Sequence, residues 1–438
     1  MAKVLRRPEP WHYLLLAAGG LFIALCARHQ WFFFDEWAFL VPSGPTNLLA
    51  PHVGHWSTGP MLLTHALQGM FGLRSYAPYV GLAIAIHLGI AHLLWRILRR
   101  VGVQEWVAVA LAFFFTVLGA GAQNILWGFQ IGFMGAILLG LGALLVVDVA
   151  EPRHPALAYA GFVVLSVTSL AFAGTALPLL AAAAVLAWRR RGWRRAALLL
   201  APSVVIYAAW YLYAATAFVQ APAGRAETVE QLLTAVPQYA ATMFVDALQA
   251  ITPIPLFGIV LFTVVLLVVA ARFTALWRTR PLALATTLAA VAFALLTGFS
   301  RVNLGIPEAG AGRYVYYMVA LMLPVLGVAA TAAIRRRALL PALAVLVIAA
   351  AAVYNAGLLR VDSLEQASRE QGSRAIISAA AAALSDPALT VPPDAQPEPQ
   401  YAPDLTAADL RMLLEEGQFV PGPYTPDDYE TARKNLQR

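Results

Sequence analysis

The chain has 438 residues, 60 % of them hydrophobic and 12 % charged, with a mean hydropathy of +0.70. A soluble domain carries about 25 % charged residues, so this composition excludes a soluble globular protein and points to an integral membrane one. The net charge of +7 is spread in short basic clusters between apolar stretches, a pattern that orients helices and argues against a nucleic-acid partner, and the single Cys26 excludes an internal disulfide framework.

A hydrocarbon core about 30 Å thick asks for about 20 residues per helix. On that measure about eleven spans are expected, over 12–28, 76–96, 104–122, 130–149, 156–171, 173–188, 196–214, 250–271, 281–299, 315–334 and 339–358. The first follows Arg6 and Arg7 and lacks a small-residue cleavage site, so it reads as a retained signal-anchor helix. If every span crosses, Arg6/Arg7, Arg96/Arg99/Arg100, Arg153, Arg189–Arg195, Arg272/Arg278/Arg280 and Arg335–Arg337 share one side. The positive-inside bias makes that side, with the amino terminus, cytoplasmic. Lysine is scarce beside alanine, leucine and arginine, as in a GC-rich bacterial genome, and the expected location is the bacterial plasma membrane.

The other side receives the polar features. Span one is followed by WFFFDEWAFLVPSGPTNLLAPHVGHW, residues 31–56, in which Asp35 and Glu36 are fenced by aromatics. Carboxylates near a bilayer are scarce and costly, so this pair is a functional-site candidate. Adjacent carboxylates point in different directions, so one should face a cavity while the other caps or pairs. Burial among Phe32, Phe33, Phe34 and Trp37 would raise a carboxylate's pKa toward that of a useful general base; Asp35 is the first choice and Glu36 the second. In the same loop, residues 58–71 have the spacing of an amphipathic interfacial helix. His52 and His55 flank a turn at Gly54; no carboxylate spacing completes a metal signature, and hydrogen bonding to a sugar or phosphate is the better reading. Gln123, Asn124 and Gln130 would be awkward against lipid and are expected to line a cavity.

The 215–249 connection holds a helix capped by Thr228 and a second over 238–249. The 301–314 loop, RVNLGIPEAGAGRY, places Arg301, Asn303, Glu308 and Arg313 on the outer side, against the positive-inside bias. Guanidinium forks fit a phosphate at headgroup depth, and Gly305, Gly310 and Gly312 make the loop pliable. Trp56 and Tyr314 suit stacking against a saccharide as well as a membrane-interface belt. His87 and His92 lie inside the second span and read as interhelical hydrogen-bonding groups. Beyond 358 the chain turns polar: a helix over 364–384, a proline-rich extended segment over 387–403, and a helix capped by Thr406. The expected division is a transmembrane catalytic domain over 1–358 and a small extracytoplasmic tail over 359–438 that packs on it.

These features together, a first span, a long outer loop with the acidic motif Phe34-Asp35-Glu36-Trp37, and many spans with outer-face polar groups, resemble the GT-C superfamily of integral membrane glycosyltransferases; the FDE element is similar to that of the protein O-mannosyltransferases and related bacterial enzymes. The resemblance implies an all-α polytopic fold with interfacial helices in the outer loops, and a polyprenyl-phosphate-linked sugar as donor. Asp35 matches the family's catalytic acidic residue, and Arg301 or Arg313 loosely match a lipid-phosphate ligand. The implied reaction is an inverting displacement by a hydroxyl on a cell-envelope glycan, glycolipid or protein. It requires no cofactor, although a divalent cation, Mg2+ or Mn2+, is compatible with it. The readings that compete are a ligase or polymerase using a diphosphate-linked donor, a lipid or sugar transporter, and a nonenzymatic assembly subunit.

Overall fold

In a computed structural model, described here for residues 7–149, 153–218, 224–334 and 339–437, the chain is an all-α membrane protein with one two-stranded hairpin. The helices run α1 Pro8–Ala27, α2 Trp37–Leu40, α3 Thr58–Phe71, α4 Ala77–Arg100, α5 Glu105–Thr116, α6 Ala122–Leu126, α7 Ile131–Asp148, α8 Pro155–Phe172 and α9 Leu177–Arg191. They continue as α10 Trp193–Ala217, α11 Val229–Leu233, α12 Ala235–Gln249, α13 Phe257–Thr279, α14 Pro281–Arg301, α15 Gly312–Ile334, α16 Leu340–Ala383, α17 Ala407–Glu415 and α18 Pro426–Leu436. Strands β1 Pro51–His52 and β2 His55–Trp56 pair antiparallel.

Among the described residues nine helices are long and apolar enough to cross a membrane, α1, α4, α7, α8, α10, α13, α14, α15 and α16, and a tenth span forms if α5 and the bent segment 119–126 count together. The expected eleven are therefore nine or ten by length and composition. The segment expected as span 173–188 forms only the 15-residue α9, about 22 Å of helix, because Ala173 is extended and Gly174–Ala176 make a 3-10 turn before it. The span expected over 104–122 bends by 45° beyond Thr116, where α16 comes so close that a Cβ on Gly119 would sit 2.1 Å from the Asn355 carbonyl oxygen. The span expected at 250–271 starts seven residues later, at Phe257, because Pro253 and Pro255 hold 250–256 out of helix. Arg6 and Arg335–Arg337 lie outside the described residues.

Helices α7 and α15 are the centre of the bundle: two thirds of their most apolar window is buried, against 6 % in α13, which lies at the periphery beside α12 and α14. The ends of the bundle differ in charge. At one end Asp148 of α7, 2 % exposed, accepts from Arg100 of α4 at 2.7 Å and Arg190 of α9 at 2.6 Å, and the Arg280 guanidinium donates to the Val101 carbonyl. An acid buried this deeply is tolerated only because both of its oxygens are paired. The other end carries the Asp35 loop, the 302–311 loop and the tail.

Helix α16 runs 44 residues without a break, through positions 358 and 359, so the last expected span and the expected helix 364–384 are one rod. The tail folds back along it through α18 and clasps the first outer loop. Asp409, 1 % exposed, caps α17 with Thr406 and accepts from both the backbone N–H and the hydroxyl of Ser43, each at 2.9 Å. Gln68 of α3 donates to Gln418 at 2.8 Å, and the Leu73 N–H donates to the Gln418 carbonyl at 2.9 Å. Replacing Asp409 by Ala strands the Ser43 donors and removes the side-chain half of the α17 capping box, an expected loss of about 1–3 kcal/mol. The detergent-solubilised variant should melt earlier than wild type and be cut faster by protease within 386–406.

Candidate functional site

The turn that presents Asp35 is built from carboxylates behind it. After α1 ends at Ala27, residues 31–33 lie outside any helix or strand, and the backbone N–H groups of Trp31, Phe33 and Phe34 go to side chains and to the tail. The Trp31 N–H donates to Glu370 Oε2 at 2.7 Å, Phe33 N–H to Glu36 Oε2 at 2.8 Å, and Phe34 N–H to the Tyr401 carbonyl at 2.7 Å. Phe34 has a φ of +51°, a conformation bulky residues rarely adopt and one found disproportionately at functional sites. The 3-10 turn Phe34–Glu36 that follows sends Asp35 and Glu36 to opposite sides.

Asp35 faces a cavity of about 630 Å³. Glu36 is 5 % exposed and does not line it; its Oε1 accepts from the Tyr76 hydroxyl at 2.8 Å, and that hydroxyl accepts from the Gly128 N–H at 2.6 Å. Burial drives the Glu36 pKa well above the ordinary carboxylate range, against the Tyr76 and Phe33 hydrogen bonds that favour its ionised form. Its geometry is that of a positioning residue, tying the acidic turn to α4 and to the turn before α7.

Of the other residues picked out from sequence, His52, His55, Gln123, Gln130, Arg301, Arg313 and Tyr314 line the same cavity. The two histidines face each other across a two-residue hairpin turn, with Val53 at φ +48° and Gly54 at +77°. Burial lowers the pKa of both, that of His55 to about 4 with help from Arg301, so they meet a ligand as neutral hydrogen-bonding groups. Arg313, at the start of α15, donates to Glu308 from its side chain and to Gln123 Oε1 from its backbone at 3.2 Å. Arg301, at the end of α14, has no hydrogen-bond or ion-pair partner among the described residues. Of these two arginines, one is neutralised in place and the other is free among the described residues.

Four more of the predicted residues do not line the cavity. Trp56 stacks on Trp210 with centroids 5.3 Å apart and is packing. Asn124 is fully buried and donates to Gln130 Oε1 at 3.4 Å, supporting a lining residue from behind. Asn303 faces the 224–231 segment, donating to the Arg225 carbonyl at 2.6 Å and accepting from Gln231 at 2.7 Å. Glu308 is represented through its pair with Arg313.

The sequence reading missed the lining residues contributed by α16 and the tail. Asp362, Glu365, Gln366 and Arg369 of α16 line the cavity, and Tyr401 of the tail closes it beside Phe33, ring centroids 5.4 Å apart. Their spacing of i, i+3, i+4 and i+7 is one helix face, which alone reads as a solvated surface. Only the unbroken continuation of α16 out of the bundle carries it over Asp35. Phe172 and Ala173, at the α8–α9 junction, also line the cavity and carry no such signal.

Burial, and after it the neighbouring Asp404, raise the Asp35 pKa to about 6 against the opposing charge of Arg313. A carboxylate in that range, in a cavity with a free arginine, a neutral histidine pair and aromatic walls, fits a general base beside an anion-binding group.

A solved structure of ArnT from Cupriavidus metallidurans, bound to undecaprenyl phosphate, matches 94 % of this chain and 89 % of its own with a TM-score of 0.55 at 14 % sequence identity. What the two share is the fold. The shared architecture is an all-α polytopic membrane fold, with nine or ten candidate spans among the described residues of this chain. No family model matches the chain, and no curated protein does.

Gly128 tests the positioning of the acidic turn. A Cβ there would lie 2.6 Å from Glu36 Oε1 and 3.0 Å from the Tyr76 hydroxyl. Gly128→Ala should cost about 1–3 kcal/mol by overpacking and lower the melting temperature of the purified protein, whereas Gly81→Ala, where a Cβ meets open space, should leave it unchanged.

Proposed function

We propose that the chain is a membrane glycosyltransferase that moves one sugar from a polyprenyl-phosphate carrier to an acceptor hydroxyl. The observation that carries this reading is that Asp35, Arg301 and Arg313 line one cavity. The undecaprenyl phosphate seen in the fold neighbour supports the donor class. The aromatic and apolar walls at Phe133 and Phe172 suit an isoprenoid tail that leaves toward the bundle.

In the proposed reaction the acceptor oxygen attacks the anomeric carbon as its proton passes to Asp35. The bond from that carbon to the phosphate oxygen breaks, and its electron pair stays on the phosphate. The leaving phosphate gains a charge, which Arg301 and Arg313 are placed to counter. One in-line displacement inverts the anomeric configuration. Lipid phosphate is an adequate leaving group, so the chemistry does not demand a metal. The outer face of the bacterial plasma membrane is the expected place for it.

The experiment is transfer from a radiolabelled panel of polyprenyl-phosphate sugars, with one diphosphate-linked donor, to membrane acceptors. Asp35→Asn should reduce transfer by about a hundredfold or more while donor binding stays within about twofold of wild type. Equal transfer by Asp35→Asn overturns the base assignment, and transfer from the diphosphate donor alone overturns the donor class.

A general base must be ionised, so the wild-type rate should climb with pH through about 6 and level above it. Asp404→Asn removes a negative neighbour that holds the Asp35 pKa up, and the rise should move to lower pH. An unmoved profile in that variant would assign the ionisation to another group.

A further inference from the structure

The transfer chemistry uses Asp35, Arg301 and Arg313 and leaves a second group of charged lining residues without a role. Arg301 and Arg313 form the cationic side, at the ends of α14 and α15. One face of α16 presents Asp362, Glu365, Gln366 and Arg369 to the same cavity, which Asp35 and the Tyr401 ring also line. Seven residues of helix at about 1.5 Å each make this wall about 10 Å long. Gln366 donates to Glu370 at 2.7 Å, but the Asp362 and Glu365 carboxylates and the Arg369 guanidinium have no hydrogen-bond or ion-pair partner among the described residues.

Helix α16 is held in place independently of any ligand. Glu370, one residue beyond Arg369, accepts the Trp31 N–H, and Gln371 donates to the His29 carbonyl at 2.8 Å. The acidic turn and the α16 face are thus parts of one clamped unit, and the charged groups stand ready at fixed spacing. Carboxylates accept from vicinal hydroxyls, a guanidinium donates to ring and hydroxyl oxygens, and the Trp127 and Tyr401 rings offer flat apolar faces. That set matches a neutral polyol. It disfavours an anionic acceptor, because the Asp362 and Glu365 carboxylates lie near enough to one another to interact and outnumber Arg369.

We infer that the Asp362–Glu365–Gln366–Arg369 face of α16 is the acceptor subsite, and that it takes a neutral, polyhydroxylated glycan end in preference to a phosphorylated acceptor. The inference rests on the transferase reading and supplies its acceptor class. The acceptor lies along α16 and presents one hydroxyl to Asp35, while the donor phosphate occupies the arginine wall. Two charge-bearing ends bind two different molecules.

The test is direct binding, on full-length protein in lipid nanodiscs, followed by Trp fluorescence and by displacement of a radiolabelled probe. The probes are undecaprenyl phosphate, a panel of neutral oligosaccharides (mannan, arabinan, galactan and glucan fragments), and the same fragments carrying a phosphate. The variants are Asp362→Asn/Glu365→Gln, Arg369→Ala and Arg301→Ala, each admitted only if it elutes monodisperse and melts as wild type does. Wild type should bind at least one neutral fragment, and bind its phosphorylated form about tenfold or more weakly. The α16 variants should lose about tenfold or more of the neutral-fragment affinity, the scale of losing one charge-assisted hydrogen bond, and keep undecaprenyl phosphate within about twofold. Arg301→Ala should do the reverse. The inference is overturned if no neutral fragment binds wild type at millimolar concentration, if the phosphorylated form binds as well or better, or if the α16 variants bind the neutral fragment unchanged. Loss of undecaprenyl phosphate binding by wild type would instead remove the transferase reading, with the glycan arm read separately.

Discussion

Everything at the outer end of the bundle depends on how the amide donors of residues 31–34 are satisfied. This stretch must pass from the end of α1 into the interior without a helix or strand to pair with, and an unpaired buried N–H costs about 1–3 kcal/mol. Two buried glutamates and one carbonyl absorb the cost: Glu370 takes Trp31, Glu36 takes Phe33 and the Tyr401 oxygen takes Phe34. A carboxyl oxygen accepts from an amide N–H whether or not the group is ionised, so burial that raises both glutamate pKa values leaves these bonds in place. The three acceptors come from α16, from the turn itself and from the tail. Elements far apart in the chain are thereby fixed around one carboxylate, and the strained φ of Phe34 persists because all of them determine it.

The same economy of charge organises the rest. At the far end Asp148 is consumed by two arginines and has nothing left to offer a ligand. At the cavity end Glu308 engages Arg313 on a glycine-rich loop, while Arg301 is left unpaired. Burial holds His55 neutral beside it, so the two do not compete for the same anion by charge. Asp148 and Glu308 are closed off in pairs while Asp35 and Arg301 face one shared cavity, and the contrast separates structural from chemical roles.

Much of this was legible in the residue pattern. The apolar windows located nearly every span, the Thr228 and Thr406 caps start helices where expected, and the Gly54 turn brings His52 against His55. Asp35, Gln123, Arg301 and Arg313 meet in one cavity because alternating crossings gather the loops at one end. What stayed hidden depends on contacts between distant segments. Hydropathy does not register a 45° bend forced by the approach of α16 at Gly119. Nor does it register that α16 continues past its apolar half, since polar residues on a free helix and on a cavity wall have the same spacing. Asn303 went the other way: its side chain was satisfied by the 224–231 segment, a pairing that local sequence does not contain.

The length of α16 has a mechanical meaning. Counted from Leu340 at about 1.5 Å per residue, Asp362 stands about 33 Å along the rod and Arg369 about 44 Å, just past the depth of a hydrocarbon core about 30 Å thick. With no hinge along the rod, the polar wall is carried to a set height above the lipid, as a mark is on a gauge rod. A molecule tethered to the bilayer by a short anchor and the end of a long free chain would approach that mark differently, one from the side and below, the other from above. The protein thereby measures altitude as well as chemistry.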